Sequence, residues 1–144
     1  PPVDTERPGR GTGCFGCDPD NDIGLKLVIQ REEGAPRASG TWIPEPGHQG
    51  PKMHLHGGVA STVLDEAMAR LAHLLDGRHS ITAKLEVRFR KPVPLDGKAL
   101  RIEAWRESHP SESSRRHRLF ARLSLADGTP AVEAEGLFVR LPPA

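Results

Sequence analysis

The chain predicts an α+β fold, one long apolar helix set against about six strands. Three observations predict it. Residues 58–75 carry apolar side chains at helical spacing, with nothing in the run that breaks a helix. Stretches on both sides of that run alternate apolar with polar residues, the period of a strand with one buried face. Short turn signals separate the later stretches, so neighbouring strands there should pair antiparallel.

Taken in order, residues 1–13 are rich in Pro, Gly and charge and read as a flexible N-terminal arm, with residues 14–144 as a single domain. Leu25, Leu27 and Ile29 alternate with Lys26 and Gln30, a first strand; Glu33-Gly34-Ala35-Pro36 turns the chain, and Ala38 to Ile43 is a second. Pro44 to Pro51, with its prolines and glycines, is loop. In the helix, Ala60, Val63, Leu64, Ala67, Leu71, Leu74 and Leu75 share one wide face, and Gly77 ends it. Glu66, Arg70 and His73 form a charged stripe, with Glu66 and Arg70 spaced as an i,i+4 pair. Leu85, Val87 and Phe89 then alternate with Lys84, Glu86, Arg88 and Arg90 until Pro92 and Pro94 stop the strand. Leu100, Ile102 and Ala104 continue the pattern, residues 109–116 are a polar loop, and Leu119 to Leu125 and Val132 to Phe138 supply the last strands.

Composition narrows the function classes. Twenty Lys and Arg against 19 Asp and Glu leave a net charge of +1, without the basic excess of a nucleic-acid-binding domain. No apolar run is long enough to span a membrane, and the opening residues do not read as a signal peptide, so the expected location is cytoplasmic. Two Trp, four Phe and no Tyr imply an aliphatic core. The only cysteines are Cys14 and Cys17. A zinc site would need two further ligands, which His48, His54 and His56 could in principle supply, but the pair reads as two reduced thiols packing a loop, and no metal or other cofactor is expected.

The most informative stretch is His56-Gly57-Gly58, which opens the helix nine residues before Asp65. No Ser, Thr, Asp or Asn precedes the first turn, and the glycines leave its N–H groups uncovered, an electropositive end suited to a developing oxyanion. At about 100° per residue, Ser61, Met68, Ala69 and Ala72 flank Asp65, and most are small enough to leave room for a ligand. Glu66 is the rival acid, but a pair with Arg70 explains it structurally. Arg88, Arg90 and Lys91 are candidates for holding phosphate, since guanidinium binds it bidentately. Arg115-Arg116-His117-Arg118 is a second basic patch that a charged loop explains.

His56-Gly57-Gly58 with an acid at position 65 resembles the HGG-x6-D/E signature of hotdog-fold acyl-CoA thioesterases. Other blocks agree in order. Cys14-Phe15-Gly16-Cys17 with Asp20-Asn21 and Gly24-Leu25 resembles that family's opening loop, although Asp18 and Asp22 stand where it usually has Gly and Pro. His48-Gln49-Gly50-Pro51 resembles its lead into the glycine pair, and Thr82 to Pro94 its strand after the helix. The resemblance covers residues 14–140.

What it implies is a curved antiparallel sheet of about six strands wrapped round one central helix, and hydrolysis of an acyl-coenzyme A thioester to free acid and coenzyme A. Carried over, Gly57 donates to the oxyanion and Asp65 is general base or nucleophile. His56 orders the helix start, and Thr82 places a hydroxyl near the acid. Gly58, Gln49, Arg88, Arg90 and Lys91 are expected to bind substrate. The implied assembly is a homodimer, or a dimer of dimers, with each site shared between two chains. Helix geometry points the same way: eight residues from Gly57 to Asp65 rise about 12 Å, too far for both to reach one carbonyl. Two alternatives belong to other classes: a hotdog domain that binds acyl-coenzyme A or an acyl carrier without turnover, and a hotdog hydratase or dehydratase. The latter pair an acid with a catalytic histidine in a motif this helix does not carry.

Overall fold

A computed structural model describes residues 9–108 and 114–142. The elements are β1 (Gln30–Arg31), β2 (Arg37–Trp42), α1 (Gly57–Asp76), β3 (Ser80–Phe89), β4 (Leu100–Trp105), β5 (Arg116–Ser124) and β6 (Pro130–Arg140), with two short 3₁₀ turns at Pro46–His48 and Pro51–Met53. The six strands form one antiparallel sheet in the order β1-β2-β4-β5-β6-β3. The expected α+β hotdog arrangement is what the chain adopts, one long helix packed on a curved sheet. Because α1 and β3 intervene between β2 and β4, the chain crosses the sheet along the helix and returns as β3 on the far edge.

The helix forms where the sequence predicts it. Gly77 ends it at φ +67°, the left-handed conformation glycine adopts at no steric cost, and its N–H bonds the His73 carbonyl. Val63, Leu64, Ala67 and Leu71 are fully buried against the sheet. Each of the leucines contributes on the order of 1.5–3 kcal/mol by leaving water. Met68 and Ala72 are also fully buried, so this pair fills core rather than leaving room around Asp65, while Leu74 and Leu75 are only half-buried. Gly136 on β6 makes room for Met68 and for the Phe138 ring, both of which an added Cβ would crowd.

Several expectations need correction. Leu25, Leu27 and Ile29 are buried as the alternation implies, but the regular strand is only Gln30–Arg31. The N–H groups of Leu25 and Leu27 bond the carbonyls of Phe15 and Gly16 instead of a neighbouring strand. Phe89 is 57% exposed rather than buried with its strand. The second basic patch is not a loop: Arg116 to Arg118 lie on β5, with His117 buried. Residues 109–113 of the expected polar loop and residues 1–8 of the expected arm lie outside the described residues. Residues 9–13 make turns, with the Gly13 N–H on Asp18 Oδ2 at 2.7 Å and Arg10 on Asp20 at 3.2 Å. Among the described residues, no helix is long and apolar enough to cross a membrane.

Candidate active site

The helix start is built by the chain just before it. The His56 N–H bonds the His48 carbonyl at 2.9 Å and the Gly50 N–H bonds the His54 carbonyl at 2.7 Å, closing residues 48–56 into a tight loop. Lys52 and Met53 both lie in the left-handed region (φ 52° and 60°), uncommon for side-chain-bearing residues and a mark of a loop whose shape is fixed by its surroundings. The first turn is not left uncovered. His56 is the N-cap, its Nδ1 accepting the Gly58 N–H at 2.9 Å, so in the neutral ring the proton sits on Nε2. Among the described residues the Gly57 N–H has no partner, and it is this donor, not that of Gly58, that remains available at the electropositive end.

Asp65 sits half-buried two turns along α1. Its Oδ1 accepts a 2.6 Å hydrogen bond from the Thr82 hydroxyl on β3, while its Oδ2 has no partner among the described residues. The helix acid is thus oriented by the strand that forms one edge of the sheet. Ser61 is not free to join them, because its hydroxyl donates to the Gly57 carbonyl at 2.8 Å.

Gly57 opens instead onto a cleft of about 390 Å³, shared with Leu55, Phe89, Arg90, Lys91 and Pro92. Neither Asp65 nor Thr82 lines it, so within one chain the acid and the free N–H face different spaces. Arg90 is paired with Glu133 at 3.0 Å, and Lys91 is exposed. Arg88 is paired with Glu86 at 3.3 Å and lines a neighbouring hollow with Trp105, Arg122 and the shared Arg90. The structure therefore brings Arg90 and Lys91 to the Gly57 cleft but leaves Arg88 outside it. Gln49 is exposed, its backbone bridging Leu55.

Glu66 departs from its expected pairing with Arg70. Its carboxylate turns toward the opening loop, with Oε2 3.6 Å from Cys14 Sγ. Burial pushes the Glu66 carboxyl up, and thiol hydrogen bonds from Cys17 and Cys14 only partly offset it. Burial, together with the charge of Glu66, pushes the Cys17 thiol well above its usual range. Spacing within the helix offered no sign of this cluster, since the loop comes from some fifty residues upstream.

Comparison with known proteins shows what the chain is similar to. The family model described as the thioesterase superfamily matches residues 53–108. The resemblance is to the thioesterase superfamily, in sequence and in fold. The matched segment holds the helix with Gly57 and Asp65, and Thr82, Arg90 and Lys91 after it, while Gln49 and the cysteine loop lie outside it. A crystal structure of a thioesterase superfamily protein superposes with a TM-score of 0.76 at 28% identity, over 88% of this chain and 62% of that one. The chain thus spans less than two thirds of that protein. A phenylacetic acid degradation-related protein from Ralstonia eutropha shares the fold at TM-score 0.69 and 22% identity, over 80% and 85% of the two chains. A Bacillus halodurans protein solved with coenzyme A does so at 0.65 and 24%, over 83% and 76%. No curated protein matches the chain in sequence.

Proposed function

We propose that the chain hydrolyses acyl-coenzyme A thioesters at a site shared between two copies. The observation that carries this reading is the Thr82–Asp65 hydrogen bond, which fixes one carboxylate oxygen and leaves the other for water. Asp65 Oδ2 takes a proton from that water as its oxygen bonds the thioester carbonyl carbon. The resulting oxyanion rests on the Gly57 N–H of the opposing helix. As the C–S bond breaks, the proton held by Asp65 passes to the leaving thiolate. A thiolate leaves readily, so the arrangement needs no stronger acid. The coenzyme A bound in the Bacillus halodurans relative supports this substrate class.

Two observations favour a shared site. Gly57 opens onto a cleft that Asp65 does not line, which supports a second chain supplying the missing half. β3 is a ten-residue edge strand with Ile81 and Phe89 each 57% exposed, the kind of edge that pairs with another. Pairing across a two-fold axis would set each helix start opposite the other chain's Asp65.

Thiol release from short, medium, long and aryl acyl-coenzyme A esters tests the reaction; saturable binding with no thiol released would replace hydrolysis by simple acyl-coenzyme A binding. The shared site has its own test. Asp65→Asn and His56→Ala chains, each folded and inactive alone, should regain activity when co-expressed, since one site of the mixed dimer keeps both residues. No recovery in mixed dimers shown to be present would end the shared-site reading.

Arg90 and Lys91 are assigned to the coenzyme A phosphates by their place beside Gly57. Neutralising both should raise KM by about tenfold for coenzyme A esters, one or two lost phosphate contacts, and leave a truncated thioester without the nucleotide nearly unchanged. An equal rise for both substrates would assign them a structural role.

A further inference from the structure

The loop at residues 13–18 is fixed in place over the helix. The Asp18 carboxylate accepts the N–H groups of Gly13 and Asp20 at 2.7 and 2.8 Å, and the Asp18 N–H bonds the Cys14 carbonyl. Leu25 and Leu27 pin the other side through the carbonyls of Phe15 and Gly16. Gly16 rests directly on Glu66: a Cβ there would fall 2.6 Å from its carboxyl carbon and from Oε2. Gly9 makes the same close approach to Cys17 Sγ, at 2.6 Å from an added Cβ. Two glycines thus let backbone pack directly against the thiol and the carboxylate.

The result is a compact donor set. One ligand atom each from Cys14, Cys17 and Glu66 lies within 4.8 Å of the other two, and Cys14 Sγ is 3.6 Å from Glu66 Oε2. Across a tetrahedral zinc with bonds of about 2.3 Å to sulfur and about 2.0 Å to oxygen, sulfur and oxygen stand roughly 3.5 Å apart and two sulfurs roughly 3.8 Å. The cluster needs only small side-chain adjustments to reach that geometry. A disulfide between the cysteines would account for two of the three groups and leave Glu66 turned into the loop for no reason. His48, His54 and His56 are not part of the cluster, so the third ligand is the carboxylate rather than a histidine.

We propose that Cys14, Cys17 and Glu66 bind a thiophilic divalent cation of the zinc class, which clamps the N-terminal loop to α1 and keeps its fourth position for water. Binding releases the protons of both thiols, and of Glu66 where it holds one, to solvent. Three anionic donors packed together are then compensated by the cation. The proposed hydrolysis gives none of these residues a role, and metal binding is read without it, so the two proposals fail separately.

Cobalt(II) added to the full-length, reduced chain provides the test. We expect a thiolate-to-cobalt charge-transfer band that saturates at one equivalent per chain and is bleached by zinc. Cys14→Ser and Cys17→Ser should each abolish the band while retaining the wild-type circular dichroism, and Glu66→Gln should weaken cobalt binding by about tenfold or more, as loss of a ligand does. Zinc should raise the thermal midpoint of the wild-type chain and leave that of Cys17→Ser unchanged. Absence of a charge-transfer band with both thiols free overturns the proposal, as does equal cobalt binding by the Cys14→Ser, Cys17→Ser double variant. A disulfide that re-forms in place of metal uptake also overturns it.

Discussion

Asp65→Asn is expected to lower turnover by about 10²–10⁴-fold with little change in stability. The substitution conserves volume, and an Asn oxygen can still accept the Thr82 hydroxyl that Asp65 Oδ1 accepts at 2.6 Å. What it removes is the ability to take a proton from water. The loss should therefore appear in kcat, with KM for the thioester little altered. Glu66→Gln is the matched control. Its carboxylate faces Cys14, while Thr82 bonds Asp65, so turnover should stay within about threefold of wild type. Near-normal turnover in folded Asp65→Asn would remove the residue from the reaction. A dead Glu66→Gln beside an active Asp65→Asn would move the chemistry to the neighbouring acid.

Burial was legible in this sequence where partners were not. The helix and the long strands after it stand out because their periodicity persists over many residues, and Gly77 has one common use at a helix end. Leu25, Leu27 and Ile29 alternate correctly, yet their N–H groups turn to the opening loop, and alternation reports which side is buried rather than what the backbone bonds. The cap was missed for a related reason. Histidine is not a common N-cap, and only the closure of residues 48–56 brings the His56 ring over Gly58. Glu66 and Arg70 satisfy the i,i+4 rule, but a loop fifty residues upstream offers the carboxylate other neighbours. Thr82 meets Asp65 across seventeen positions, a contact that only the family resemblance pointed to.

The second large effect is expected in stability, at a residue the sequence did not single out. Asp76→Asn should cost about 3–5 kcal/mol, because it leaves two buried guanidinium groups without their anion. Asp76 Oδ2 takes both Arg106, at 2.8 Å, and Arg140, at 3.0 Å, and all three side chains are almost wholly buried. Asp76 is also the last residue of α1, where the helix dipole favours cations and disfavours an acid. The two arginines make the acid tolerable there, and without it they are two uncompensated charges. Such a loss is a large fraction of the 5–15 kcal/mol typical of a domain. Urea denaturation checks it, and a change below about 1 kcal/mol would show that the arginines find other partners. The pH dependence follows from the same cluster. Burial pushes His117 down to about 4 from 6.5, with the Asp76 charge opposing and the two arginines reinforcing the shift. Below 6.5 the unfolded chain takes a proton that folded His117 refuses, so stability declines as pH falls from 6.5 to about 4, by up to about 3 kcal/mol. Burial alone would raise the Asp76 carboxyl, but the Arg106 hydrogen bond and the charges of Arg106 and Arg140 hold it below its ordinary 3.8. Its contribution is therefore complete above 3.8 and is lost only as pH falls through the lower folded value. Two successive acid steps are expected in the wild-type chain. Asp76→Asn should weaken the lower one, to which Asp18 and Asp127 also contribute, and keep the upper, since without the Asp76 charge His117 resists protonation still more. An imidazole titration of His117 near 6.5 in the folded chain, followed by NMR, would overturn this reading.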